Sequence, residues 1–443
     1  MAASLGRANR EPFDKVIAHI EALTQRLDGA DPFYLSSCLM EMLQTHKVGD
    51  PAMYAPLAEK GALAAQAAGR WDLARHNWIA KAGWYVRASS DEAALRETQI
   101  RIAETYVGEG EAALKRQTPS YLAAAHFYEL AIEAFRSVGQ AADRVTELHK
   151  ILLDYQKKSL SEFKLVSQEL NVKELQDQSI ARVSGKSFND ALFALARVSQ
   201  PPSVAQIMNA VISIGKNSIF QNVMPSTLVN GEGKTVAARA ALLSEDGNDA
   251  DAALRYEMYQ YAARLRSTYV PAVIEPARYQ ITLEHDFGVR DLVPFTTHNP
   301  FIRPGHEVTA ATGLAAGLRG DFVTAGHLLA IQMEVSIRHV IASHGVPTST
   351  LVNGIQSEIE LGALLRLPKA LEVFGEDRVF ELKGLLVEKA GSNLRNLVAH
   401  GLVEHDAFFT NDFSYLWWSF LQLCCIPYFG RTREQTPDGP AAS

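Results

Sequence analysis

The sequence predicts an all-α chain, with an N-terminal helical-repeat-like (tetratricopeptide-like) array and a C-terminal helical bundle. Three observations carry that prediction. Apolar residues recur at helical spacing, as in Phe13, Val16, Ile17 and Ile20, and later in Leu73, Trp78 and Ala82. Alanine is abundant, which favours helix and lets helices approach closely. Gly345, Gly375, Gly391 and Gly401 punctuate the last third, where helices are expected to stop.

Composition sets the bounds. At about 150 residues per domain, 443 residues suggest two or three domains. Hydrophobic residues make up 47% and charged residues 21%, which excludes collagen-like, low-complexity and disordered classes. A net charge of −7 disfavours a nucleic-acid coat protein but leaves room for a small basic site. The three cysteines, Cys38, Cys424 and Cys425, are odd in number and two are adjacent, so neither a disulfide framework nor a metal-ligand set is expected. That usage points to a reducing compartment, read here as the cytoplasm.

Residues 1–11, MAASLGRANRE, lack an apolar run, so no secretory signal is expected. Their acid-free, arginine-containing start hints at an organellar leader, but a disordered terminus is the expectation. Residues 12–215 form the helical array, with a break at Ser199-Gln200-Pro201-Pro202. Ala74-Arg75-His76-Asn77-Trp78 and Ala124-Ala125-His126-Phe127-Tyr128 are alike at an offset of 50 residues, and each is followed by an aromatic, Tyr85 or Phe135. Small residues and aromatics at that spacing suit a helical hairpin repeat, and equally an irregular array. His76 and His126 are then helix-face residues rather than ligands.

Residues 216–300 are the connecting region. Glycines and short apolar runs over 216–248 suggest loop with two short strands. Asn230-Gly231-Glu232-Gly233-Lys234-Thr235 invites a phosphate-loop reading. The motif, however, needs glycine where Leu228 stands, so a turn is expected. Helix returns over 249–285. Pro294, Pro300 and Pro304 then mark a linker over 293–305 and the main domain boundary. The bundle occupies 301–430, with helices near 306–318, 321–344, 355–364, 370–390, 392–402 and 411–428. The apolar run Ser414–Phe429 is shorter than the roughly 20 residues a membrane span needs and reads as a buried helix. Residues 431–443 are expected to be a disordered tail.

Chemistry concentrates in Gly391-Ser392-Asn393-Leu394-Arg395-Asn396-Leu397-Val398-Ala399-His400-Gly401. On a helix, Asn393, Asn396 and His400 share one side, and Arg395 flanks it with a side chain long enough to reach back. Imidazole exchanges a proton near neutral pH. Guanidinium is a permanent forked donor suited to phosphate. Asparagine can orient either the imidazole or the substrate. Together they could drive attack of an RNA 2′-hydroxyl on the neighbouring phosphate without metal, leaving a 2′,3′-cyclic phosphate and a 5′-hydroxyl. By spacing alone, the same residues also suit a buried polar network tying helices together.

Arg395-Asn396-x-x-Ala399-His400-Gly401 resembles the R-N-x-x-x-H-G signature of the domain of unknown function 4209 family, a branch of the HEPN (higher eukaryotes and prokaryotes nucleotide-binding) superfamily. Upstream, Gly317–Phe322, Ala325–Leu329 and Gln332–Arg338 are similar to the turn and E-x-x-x-R helix of that family. The resemblance covers roughly 301–428. It implies a four-helix bundle, commonly a homodimer with two motifs facing each other. It implies that Arg395 stabilises transition-state charge, that His400 acts as base or acid, and that Asn396 positions. Glu334, Arg338 and Asn393 would support them, with no cofactor or metal. The function expected is endoribonuclease, in RNA turnover, stress response or phage defence. The alternative is a non-catalytic module that dimerises or binds nucleotide or RNA, with the helical array holding a protein partner. Nine Lys/Arg against thirteen Asp/Glu over 301–430 mean that any grip on RNA is weak in phosphate contacts.

Overall fold

The structure is a computed structural model. It describes residues 10–31, 34–88, 92–139, 141–162, 171–217, 226–230, 232–239 and 247–429. The expectations for residues 1–9 and for the tail from Arg431 lie outside the described residues. Helix α1 (Arg10–Thr24) begins inside the segment expected to be disordered. The fold is all-α, with two small hairpins. Among the described residues, no helix is long and apolar enough to cross a membrane.

The chain forms two compact units. The first comprises residues 1–167 with 229–234, and the second comprises 168–228 with 235–443. In the first, α2 (Leu35–Thr45), α3 (Pro51–Ala67), α4 (Trp71–Ala88), α5 (Glu92–Leu114), α6 (Tyr121–Val138) and α7 (Ala142–Ser159) follow one another. Each of α3 to α7 packs on its neighbour in sequence. The two similar segments open α4 and α6, which start 50 residues apart. Ala74, Trp78, Ala124 and Tyr128 are buried, so small and aromatic residues alternate where helices meet. Buried Asn77 accepts a hydrogen bond from Ser37 Oγ (2.8 Å) and donates to the Leu73 carbonyl (3.0 Å), which satisfies its amide inside the array.

The second unit holds α8 (Lys173–Val183), α9 (Phe188–Leu195), α10 (Val204–Asn217), α11 (Gly247–Tyr269), α12 (Glu275–Glu284), α13 (Val289–Thr296), α14 (Glu307–Leu318) and α15 (Phe322–Ser343). After these come α16 (Leu361–Leu364), α17 (Pro368–Phe374), α18 (Glu376–Leu386), α19 (Leu394–Ala399) and α20 (Asn411–Cys425). Its centre is α20, every residue of which from Phe413 to Cys425 is buried. Three polar side chains of α20 find partners on its neighbours. Trp417 Nε1 donates to the Leu314 carbonyl, Trp418 Nε1 to that of Leu195, and Gln422 Nε2 to those of Ala196 and Ser199, all at 2.9 Å. Between α11 and α12, Pro271 sits in a π-helical turn, Val270–Ile274, because proline cannot supply the amide of a regular turn. The Pro271 and Val273 carbonyls accept from Gln176 and Ser179 of α8.

The linker expected over 293–305 is instead packed structure. Pro294 lies within α13, and Thr296, Asn299, Phe301 and Ile302 are buried. Asn299 Nδ2 donates to the Cys424 carbonyl (2.9 Å), and the Phe301 ring meets Phe420 edge-on at 5.5 Å. Prolines there shape turns against α20 rather than separating domains. The compact units divide near residue 167, so α8 and α9, read as part of the array, share the core of the bundle.

Two strands were expected between 216 and 248. β1 (Ser226–Val229) and β2 (Thr235–Arg239) stand there as a hairpin. The supposed phosphate loop is its turn, where Asn230 Oδ1 accepts from the Glu232 and Lys234 amides. Of the helix expected over 355–364, only α16 is helical; its first part is β4 (Ile355–Glu358), paired antiparallel with β3 (Ser349–Val352) from Val352↔Ile355 to Ser349↔Glu358. Asn353 and Gly354 both have positive φ (52° and 79°), which a two-residue hairpin turn requires. The single helix expected over 370–390 is cut at Gly375, also at positive φ, into α17 and α18.

Candidate functional site

The motif lies on α19, a helix of six residues. So short a helix does not hold itself together in water, so its position comes from its ends and its two buried anchors, Leu394 and Val398. Asn393 precedes it in the left-handed conformation (φ 51°). The Gly401 amide donates to the Val398 carbonyl (3.1 Å) and the Leu402 amide to that of Leu397 (2.9 Å), a helix stop that Gly401 permits with φ 65°. His400 is the last residue before that stop.

The neighbouring helix, α15, is capped by Asp321, whose carboxylate accepts from the Thr324 amide (3.0 Å). Leu329, Met333 and Ile337 turn into the core. Glu334 and Arg338, one helical turn apart, face α19. Glu334 is shared. Its Oε2 accepts from Arg395 Nε (2.6 Å), and its Oε1 accepts from Arg338 Nη2 (2.8 Å). Arg338 Nη1 donates onward to Glu358 Oε2 on β4 (2.9 Å) and to the Thr348 carbonyl (3.1 Å). Within α19, Arg395 Nη1 donates to Asn396 Oδ1 (3.0 Å) and Asn396 Nδ2 donates to Asn393 Oδ1 (2.7 Å). Charges therefore alternate along a line: Arg395, Glu334, Arg338, Glu358.

Five of the six expected site residues are thus joined in one hydrogen-bonded network: Asn393, Arg395, Asn396, Glu334 and Arg338. His400 is outside it. Its side chain is exposed and has no hydrogen bond or ion pair among the described residues. The expected reach of Arg395 back toward His400 gives way to its bond with Glu334, since a nearby carboxylate outcompetes an imidazole for a guanidinium. Asn393, expected within a continuous helix, is the turn residue before it. Arg395 keeps 29% of its side-chain surface, and its Nη2 carries no hydrogen bond among the described residues. Partial exposure and an unbonded Nη2 leave the guanidinium donors for a ligand.

Sequence reasoning misses Glu358 and the Thr348 carbonyl: Glu358 lies on β4, where helix was expected, and Thr348 lies where no element was expected. Nothing local in the sequence pairs them with Arg338. Other candidates are plain. His76 faces Glu41 at 3.8 Å, and the His126 ring lies beside Phe127 at 5.6 Å. Among the described residues, no group of three or more His, Cys, Asp and Glu is placed to hold a metal. Cys424 and Cys425 are buried, which pushes both thiols well up from the usual range.

Comparison with known proteins names no relative. A scan of family models, a search of curated proteins and a search of solved structures each returned no match.

Proposed function

We propose that the chain is an endoribonuclease that cleaves RNA by attack of a 2′-hydroxyl on the adjacent phosphate, with Arg395 and His400 as the catalytic pair. The observation that supports this reading is the contrast between a residue of α19 and the one that ends it. Arg395 is fixed by Glu334, while His400, five residues on, is exposed and without a partner among the described residues. The polar network that ties α19 to α15 does not include His400, which leaves its imidazole accessible.

In the proposed reaction, His400 takes the proton of the 2′-hydroxyl. The 2′ oxygen bonds to phosphorus, and the bond from phosphorus to the 5′ oxygen breaks. The departing oxygen takes a proton from a second imidazole or from water. Arg395 offers its Nη2 to the phosphoryl oxygens as charge builds. Asn396 holds the other side of the guanidinium, and Arg338 keeps Glu334 in place. This chemistry calls on no metal.

The test is cleavage of mixed RNA in EDTA, read as 2′,3′-cyclic phosphate ends. His400→Ala is expected to lower the rate by about 10²–10⁴, the worth of a general acid or base. Arg395→Ala is expected to abolish the same ends, with circular dichroism unchanged in both variants. Cleavage that survives in both variants would refute the assignment.

A second reading, a non-catalytic interaction module, is favoured by one observation. The β3–β4 hairpin carries Leu351, Val352 and Ile355 exposed at 64–71%, and Glu358 ties it to the Arg338–Glu334 pair. Absence of cleavage by wild-type protein under all conditions would select that reading.

A further inference from the structure

We infer that Arg266, on α11 and about 130 residues before the motif, is a positioning residue that sets the motif helix through Ser392. The inference rests on the ribonuclease reading only in naming α19 as the catalytic helix. Its geometry stands apart from that reading.

Arg266 is 2% exposed, yet its guanidinium bonds to three separate places. Nη1 donates to Glu381 Oε1 on α18 (2.9 Å), Nε to Asp412 Oδ1 at the start of α20 (3.2 Å), and Nη2 to Ser392 Oγ (2.8 Å). Glu381, which Arg378 also faces, and Asp412 supply the charge that meets this cation; the Ser392 hydroxyl adds none, so the third bond is a matter of placement rather than neutralisation. Ser392 is two residues before α19 begins. Its amide donates to the Gly384 carbonyl (2.8 Å). At Gly391 a Cβ would lie 2.0 Å from that same carbonyl oxygen, so the loop backbone lies directly on α18. From α11, Gln260 Nε2 also donates to the Ala390 carbonyl (2.6 Å).

The loop 390–392 is therefore fixed by α11 and α18, and the next residue, Asn393, turns the chain left-handed into α19. Asn393 Oδ1 receives Asn396 Nδ2, and Asn396 Oδ1 receives Arg395 Nη1. A path of hydrogen bonds and one peptide link runs from the buried Arg266 to the Arg395 guanidinium. A six-residue helix with two apolar anchors has little else to fix its axial rotation. That rotation decides whether Arg395 meets Glu334 and where His400 points.

Arg266→Ala would strand Glu381 in the core and is at risk of not folding. Ser392→Ala is the informative variant, because Arg266 keeps both carboxylates, and Ser392→Thr restores the hydroxyl. The measurements are amide hydrogen exchange and RNA cleavage on the full chain. In Ser392→Ala, amides of residues 396–402 are expected to exchange about tenfold faster, with α15 and α20 unchanged. The kcat for cleavage is expected to fall about tenfold or more at constant KM, since loss of orientation affects the reacting geometry rather than binding. Threonine restores both. Exchange at 396–402 that matches wild type overturns the inference, as does a uniform rise across the whole second unit. If wild type does not cleave RNA while Ser392→Ala still loosens 396–402 selectively, the positioning role stands and the nuclease reading falls.

Discussion

Glu334 shows what a single residue can reveal and conceal. Its spacing from Arg338 places both on one face of α15, and that much is written in the sequence. That its second oxygen belongs to Arg395, 61 positions away, is a product of packing. His400 is the reverse case, for its sequence neighbours suggest a convergent cluster, whereas the structure leaves it outside the network. A different histidine is expected to contribute to the acid sensitivity of the second unit between pH 7 and pH 5. His339 on α15 is held below the usual imidazole value, chiefly by burial, with Arg303 adding repulsion. The unfolded chain protonates this group more readily than the folded one, so its contribution to stability is full above about pH 6.5 and falls as pH drops below it. His339→Gln is expected to shrink the fall in melting temperature between pH 7 and pH 5. An unchanged pH profile in that variant would assign the sensitivity elsewhere.

At the scale of elements, the helices and their stops were largely legible, because apolar period and glycine position are local signals. The β3–β4 hairpin was not read, although Asn353-Gly354 is a strong turn dipeptide and Thr350, Val352 and Ile355 favour strand. The apolar residues on both sides of that turn imitate a helical stripe. The proline cluster misled for a different reason. Proline marks a turn, but only the packing of Phe301 on Phe420 says whether the turn is a linker or core. The seat of α14 on α20 is a further product of contact. A Cβ at Gly317 would lie 2.1 Å from Trp417 Cδ1, and this indole also donates to the Leu314 carbonyl on the same helix. Gly317→Ala is therefore expected to cost about 1–3 kcal/mol by overpacking, read as a lower melting temperature. A variant as stable as wild type would show that Trp417 can move aside.

For the whole molecule, the division near residue 167 is the consequential result. Residues 168–443 contain a continuous buried core, from Val183 and Leu192 on α8 and α9 to Cys425 at the end of α20. A fragment beginning at Gln168 is expected to unfold cooperatively by itself, with near-native helix content. One beginning at Phe301, the start suggested by the sequence, would lose the Leu195 and Ala196 carbonyls that receive Trp418 and Gln422, and is expected to be molten or insoluble. Thermal melts of the two fragments by circular dichroism decide this, and two equal cooperative transitions would restore the boundary at 301.

The sequence by itself determined the all-α class, the burial of the run from Ser414 as far as Cys425, the first hairpin, and the residues of the Arg395 motif, because period, length and turn chemistry act over a few residues. Tertiary structure alone decided which guanidinium meets which carboxylate, where one core ends and the next begins, and that Arg266 lies beneath Ser392. Those outcomes depend on burial and on competition among acceptors drawn from distant parts of the chain, and nothing in a local stretch of sequence encodes the distance between them.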